Sequence, residues 1–413
     1  MVGLSCYILI DTLFISLALG APGLAALNLS ISVFSIISGV GQMIGIGGGT
    51  DFSLRLGEGK DANAAFRAAL VCSAAASAVF FLIGLFFSRP LSLLLGADQI
   101  TLDMTNTYVK ITLLFAPCHI LNATLQAFVR NDGAPKLAMA SMLTSSAANI
   151  VLDYLFMFPF QMGMFGAVLA TGLSALLSIL VLSVFLFSPR CSLRLSRNHA
   201  SLHEMLRLLS YGLSALIGEL ASAFSLLAFN LILMRIGGYV SVAAYGIIAN
   251  AALVASAIFT GVGQGMQPLA SKAYGCRDQA ALARLKRYTQ HAVLYMGILL
   301  FAFVYAFASP IASVFNHESN PQLQTIAQTG LRLYFSGYLF AGFNIVASAY
   351  LSAMSRAVHA LVISLLRSCM LLIPVVWIMS CLLLISGVWL SFPVTEAIVC
   401  LFAVLFFRHA DHL

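Results

Sequence analysis

Apolar positions run along this chain in long unbroken blocks separated by short polar stretches. A helix that crosses the hydrocarbon core of a bilayer needs about 20 residues, and twelve blocks of that order can be marked. The first six are 1–19, 28–49, 64–87, 105–129, 137–158 and 164–187, and the second six are 206–234, 241–263, 286–309, 325–352, 357–380 and 386–407. Strands of a membrane barrel would instead alternate over about ten residues. The pattern predicts an all-α polytopic membrane protein with twelve transmembrane helices. The longest polar connection, 188–205, falls almost halfway. It is expected to be a cytoplasmic linker between an N-terminal lobe at 1–187 and a C-terminal lobe at 206–413.

The two halves resemble each other. Gly-Val-Gly-Gln at 39–42 recurs at 261–264, and each copy leads into a basic segment, 53–70 and 271–288. Ala25-Ala26 answers Ala243-Ala244 at an offset of 218, as Gly57 answers Gly275, and Gly166-Ala-Val-Leu-Ala answers Gly387-Val-Trp-Leu-Ser at 221. An even number of spans per half makes the copies parallel repeats, related by an axis along the membrane normal. Two six-helix bundles that rock about a cleft would suit a secondary transporter. The glycine-rich stretch GIGGGT (45–50) lacks the Gly-Lys-Ser/Thr of a phosphate-binding loop. It is expected to relax the inner end of the second span into a mobile loop. Without a nucleotide-binding set, transport would have to draw on an ion gradient or on the substrate's own gradient.

Composition supports the same picture. Of 413 residues, 61% are hydrophobic and only 8% charged, against roughly 25% charged in soluble domains. A cytosolic enzyme, a nucleic-acid binder and a disordered chain are excluded. The formal charge of +7 is scattered among apolar segments and carries topological information instead. With both termini in the cytoplasm, sixteen of the 21 basic residues fall inside and four (Arg89, Lys110, Arg235, Arg332) fall outside. The eight cysteines form no CxxC or other close set, so neither a disulfide framework nor a metal site is expected. Only ten residues precede Asp11, about 15 Å of helix and roughly half the hydrocarbon thickness. The first helix is therefore expected to be clipped, or to start upstream.

Polar groups inside the spans are the candidate chemistry. Asp11, Asp153, Glu219 and Glu396 fall within apolar blocks, and Arg367 is the basic residue clearly inside one. A charge there is costly and usually faces protein or a water-filled cavity. Ser145, Asn149 and Asp153 lie at i, i+4 and i+8, one polar stripe along a helix. Thr171 is the nearest plausible further oxygen ligand, and Tyr7 stands one turn before Asp11. Glu219 shares a face with Gly212, Ala215 and Ser222, which suits either close helix packing or a substrate-facing carboxylate. For Glu396, after Pro393, a structural hydrogen bond is favoured, and Arg367 and Ser145 are secondary candidates.

Several stretches together resemble the multidrug and toxic compound extrusion (MATE) family in its bacterial branch. They are IDTLFISLALGAPGLAALNLS (10–30), RLGEGK (55–60), FVRNDGAPKLAM (128–139), NIVLD (149–153), AAYGIIAN (243–250), GVGQGMQPLASKAYG (261–275), SLLRSCMLLIP (364–374) and GVWLSFPVTE (387–396). The resemblance implies a secondary antiporter, not an enzyme, that exports amphipathic organic cations in exchange for H⁺ or Na⁺ by alternating access. It matches the family's first-span aspartate to Asp11, its N-lobe ion cluster to Asn149, Asp153 and Thr171, and its seventh-span glutamate to Glu219. It implies no cofactor beyond the coupling ion, with Na⁺ ligation open at Asn149, Asp153 and Thr171. Expected partners are cationic small molecules and membrane lipids, with no nucleic acid and no obligatory protein partner. The expected setting is a monomer in the bacterial cytoplasmic membrane. A lipid-linked oligosaccharide flippase and a non-transporting membrane scaffold are the alternatives. A flippase would need basic residues in its cleft, for which Arg367 is the one candidate.

Overall fold

The computed structural model describes residues 2–189, 191–194, 201–315 and 320–410, and they are helical almost throughout. The chain divides into two compact units, 1–219 and 220–413. The first contains α1 (Val2–Gly57), α2 (Asn63–Phe86), α3 (Ser88–Leu94), α4 (Leu102–Leu114), α5 (Ala116–Asn131), α6 (Pro135–Met157), α7 (Gly163–Leu186) and the start of α8 (Leu202–Gly275). The second holds the rest of α8, then α9 (Gln279–Phe315), α10 (Pro321–Phe335), α11 (Tyr338–Ala353) and α12 (Ala357–Leu365). A π-helical turn, Leu366–Met370, and α13 (Leu372–Ala410) complete it.

The polarity of these helices is that of a protein dissolved in lipid. On α7, Thr171, Ser174 and Ser178 are buried, while Leu180 and Val184 are 62% and 63% exposed. With no water in the bilayer core, hydroxyls turn inward to find partners and apolar side chains face out. Seven helices among the described residues are individually long and apolar enough to cross a membrane. The number is eight if α4 and α5, bent by 48°, form one span.

The glycine-rich segment is not the mobile loop expected from its sequence. Residues 45–49 continue α1 as regular helix to Gly57. The glycines are there because other backbones lie against them. A Cβ on Gly45 would sit 2.7 Å from the carbonyl oxygen of Ala123, and one on Gly47 would sit 2.0 Å from that of Leu208. From the other side, a Cβ on Gly212 would meet the Met43 carbonyl oxygen at 1.9 Å. Residues 206–219, which carry the α8 side of this bare crossing, fall in the first unit.

Internal repetition is visible in the backbone. Both α1 and α8 break at a left-handed glycine, Gly20 (φ 64°, ψ −156°) and Gly238 (φ 64°, ψ −163°), conformations that L side chains resist. These positions are 218 residues apart, as are the helix ends Gly57 and Gly275. Further left-handed positions pair in the same way: Gly59 with Arg277, Gly133 with Ser355, and Gly163 with Leu384. The helix break after Leu114 in the first unit is likewise answered by the break between α10 and α11.

Candidate functional site: buried carboxylates

In the first unit, α6 and α7 pack side by side after a tight turn at 158–162. Their facing sides carry Asn149, Asp153 and Thr171, all buried, and Asp153 and Asn149 are 0% exposed. Asn149 donates from Nδ2 to Thr171 Oγ1 at 3.3 Å, and Thr171 Oγ1 donates to the Ala167 carbonyl at 3.2 Å. Asp11, buried on α1, is near enough to Asp153 for the two carboxylates to act on each other electrostatically. Both oxygens of Asp153, one of Asp11 and Oδ1 of Asn149 are buried without a hydrogen-bond partner among the described residues. A buried charge left in that condition costs several kcal/mol. The pair must therefore be neutralised, by protonation or by a bound cation. Ser145, on the same stripe, crosses to the Ser174 carbonyl at 3.0 Å. The side chain of Tyr7 lies outside the described residues.

Glu219 is not part of this cluster. Its Oε1 accepts a 2.6 Å hydrogen bond from Nε2 of Gln42, the last residue of the repeated Gly-Val-Gly-Gln. Gly39, one turn earlier on α1, leaves the room: its missing Cβ would lie 3.3 Å from Cβ of Glu219. Gln42 was legible only as part of a repeat, and nothing in the sequence marked it as a carboxylate partner.

Sequence reasoning also missed a charge cluster at the inner end of α1. Asp51, 0% exposed, is held by Arg55 Nε at 2.9 Å and by Arg207 Nε at 3.1 Å, and Arg55 Nη1 reaches Glu204 at 3.4 Å. The signal available was an Asp four residues before an Arg at a segment read as a helix end.

The second unit treats its carboxylate differently. Glu396 is 1% exposed and fully engaged. Arg367 donates to its Oε1 from Nη2 at 2.7 Å and Nε at 3.2 Å, and Asn344 donates to Oε2 at 2.7 Å and to the Glu396 carbonyl at 2.8 Å. Arg367 sits in the π-helical turn, whose extra residue widens the helix locally. Asn344 was not foreseen. Among the described residues, no group of three His, Cys, Asp or Glu side chains converges as a metal ion would require.

An all-α protein with apolar outer faces, duplicated broken helices and buried carboxylates defines a membrane-embedded transporter. The MatE family profile matches residues 1–155 and again 214–378, one match in each half. The chain belongs to the MatE family. It is 26% identical over 348 residues to the multidrug export protein MepA of Staphylococcus aureus (strain MSSA476), covering 81% of this chain and 76% of that one. To MepA of Staphylococcus saprophyticus subsp. saprophyticus it is 25% identical over 345 residues, with the same coverage. Among solved structures, an outward-facing multidrug resistance MATE family transporter of the MOP superfamily matches with a TM-score of 0.93. That match has 22% identity and covers 100% of this chain and 93% of the other. A MOP superfamily transporter from Pyrococcus furiosus, described as having a binding pocket of reversed polarity, matches at a TM-score of 0.91 and 22% identity, with the same coverage. These structures establish the fold.

Proposed function

We propose that the chain is a secondary antiporter that exports amphipathic organic cations in exchange for protons by alternating access. The observation that carries this reading is the buried carboxylate pair Asp11 and Asp153, with its unsatisfied oxygens. A group that cannot stay charged and alone must exchange its neutralising ion when access changes sides. Asp11, Asn149, Asp153 and Thr171 form the coupling site in this reading, and Glu219 is the counter-ion for the substrate cation. A proton is favoured over sodium because a protonated carboxyl supplies the donor that the buried Oδ1 of Asn149 lacks. Family membership and the similarity to multidrug exporters support drug-like cations as cargo.

The same reading takes the chain across the membrane twelve times, in two parallel six-helix sets joined by 188–205, with both termini in the cytoplasm. Cationic small molecules and lipid are its partners, and it works as a monomer. The flippase alternative loses support because the guanidinium of Arg367 is occupied by Glu396 rather than free for phosphate. Ethidium efflux from proteoliposomes, driven in turn by a proton gradient and a sodium gradient, is the test. Export under the proton gradient alone is expected. Export under the sodium gradient alone would overturn the choice of ion, and no export under either would overturn the antiporter reading.

A further inference from the structure

Three polar stripes in the first unit run away from the carboxylate pair toward the end that carries the basic loops. On α6 the stripe is Asp153, Asn149 and Ser145. On α7 it is Thr171, Ser174 and Ser178, with exposures of 7%, 5% and 0%. On α5 it is Asn122 and Gln126, with Arg130 one turn further on. The stripes are joined across helices. Asn149 bonds Thr171, Ser145 bonds the Ser174 carbonyl, and Gln126 Nε2 donates to Ser178 Oγ at 3.4 Å and to Asn122 Oδ1 at 3.3 Å. Within α7, Ser174 Oγ donates to the Thr171 carbonyl at 2.8 Å.

A serine in a lipid-facing bundle can satisfy itself on its own helix, as Ser183 does on Leu180, or link two helices, as Ser73 and Thr124 do. Here Asn149, Ser145 and Gln126 all reach across to another helix. From Thr171 to Ser178 the file advances about 10 Å along the helix axis. Its upper end holds the unsatisfied oxygens of Asn149 and Asp153. Its lower end, Asn122 and Gln126, is partly exposed.

We propose that this file is the route by which the coupling proton leaves the Asp11/Asp153 pair for the basic-loop side, inside the first unit and apart from the substrate path. The proposal rests on the carboxylate pair being the coupling site. Ser145, Thr171 and Ser174 turn from the backbone carbonyls they now face. Each hydroxyl accepts a proton on a lone pair and passes on its own to the next oxygen, so charge balances at every step. The amides of Asn149 and Gln126 hold the hydroxyls in line and carry no proton. Each gap of one helical turn would need a single bridging water. Below the carboxylate pair the file suits a proton and not sodium, because Ser174, Ser178 and Gln126 each offer a single side-chain oxygen and not the several needed to replace a hydration shell. Ser178 is the gate of the route, since it receives Gln126 and is its most enclosed hydroxyl.

The test uses purified protein in proteoliposomes with a pH-sensitive dye in the lumen, and reads the proton flux that starts when ethidium is added outside. Ser178→Val is expected to slow that flux about tenfold, Ser178→Thr to keep it near the wild-type rate, and both to bind ethidium in detergent as the wild type does. Asp153→Asn, run in parallel, is expected to abolish the flux. Unchanged flux in Ser178→Val beside a silent Asp153→Asn would overturn the route while leaving the coupling site standing. Equal slowing in the Val and Thr variants, with ethidium binding lost, would reduce Ser178 to a packing residue and also overturn it. Full flux in Asp153→Asn would overturn the coupling reading, and the route with it.

Discussion

Two carboxylates, Asp153 in the first unit and Glu396 in the second, are buried on opposite terms. In the first, Asp153 has a like charge within electrostatic reach and no hydrogen-bond donor on either oxygen. In the second, Glu396 has an arginine fork and an asparagine, and both of its oxygens are satisfied. A satisfied pair has one stable charge state, because removing either partner leaves a buried charge behind. An unsatisfied carboxylate has two states of comparable cost, neutral with a proton or charged with a cation. The difference separates a fastening from a switch, and it does so inside a single repeated architecture.

The comparison breaks most visibly at Asp153. Asp153→Asn is expected to take ethidium export against a gradient down to the level of empty proteoliposomes while leaving ethidium binding intact. Export at the wild-type rate would show that the switch lies elsewhere. The fastening should respond in stability instead. Arg367→Met strands a buried carboxylate and is expected to cost about 3 kcal/mol, read as a lower melting temperature in detergent. Adding Glu396→Gln removes the stranded charge while keeping an acceptor for Asn344, and most of the loss should return. If the double variant melted as low as the single one, the pair would not be the cause.

Glu219 tests the middle ground: its carboxylate accepts from Gln42, and no ion pair holds it among the described residues. Glu219→Gln is expected to weaken ethidium binding about tenfold, in keeping with loss of a charge-assisted contact of roughly 1.5 kcal/mol. Fluorescence titration of the purified variant measures it. The smallest effect belongs to a surface acid. Outside the apolar helices, the hydroxyl and amide of Thr101 hold the Asp98 carboxyl below its ordinary value. Its contribution is full above the unfolded value near 3.9 and is lost as pH falls through the lower folded value. Asp98→Ala should therefore lower thermal stability slightly at pH 7, with the gap to wild type closing only in strong acid.

Much of this was legible in the sequence, and what was hidden follows a pattern. The all-α membrane character followed from unbroken apolar runs, which lipid imposes on the order of residues, and the repeat from Gly-Val-Gly-Gln and the recurring offsets. The breaks within the expected spans 105–129 and 325–352 did not show in the runs. Asn149 and Asp153 were singled out because i, i+4 spacing places polar groups on one helix face, whereas Thr171, on another helix, was matched only through the family resemblance. The partners were hidden. Gln42 and Asn344 meet their carboxylates across 177 and 52 residues, and no periodicity encodes a meeting between helices. The run at 45–49 misled because glycine serves loops and close helix crossings alike. Only the neighbouring backbones, which are not written locally, decide between them.

That glycine run has a kinetic consequence. Helix surfaces normally interlock through ridges of side chains, and shifting one past another makes rotamers climb over each other. Where α1 meets α8 at Gly47 and Gly212 there are no ridges, so the two backbones rest on each other like smooth rods. Sliding or rolling at this point meets little activation barrier of its own. One turn away, two arginines grip Asp51. Any rearrangement at this crossing also has to break the ion pairs on Asp51.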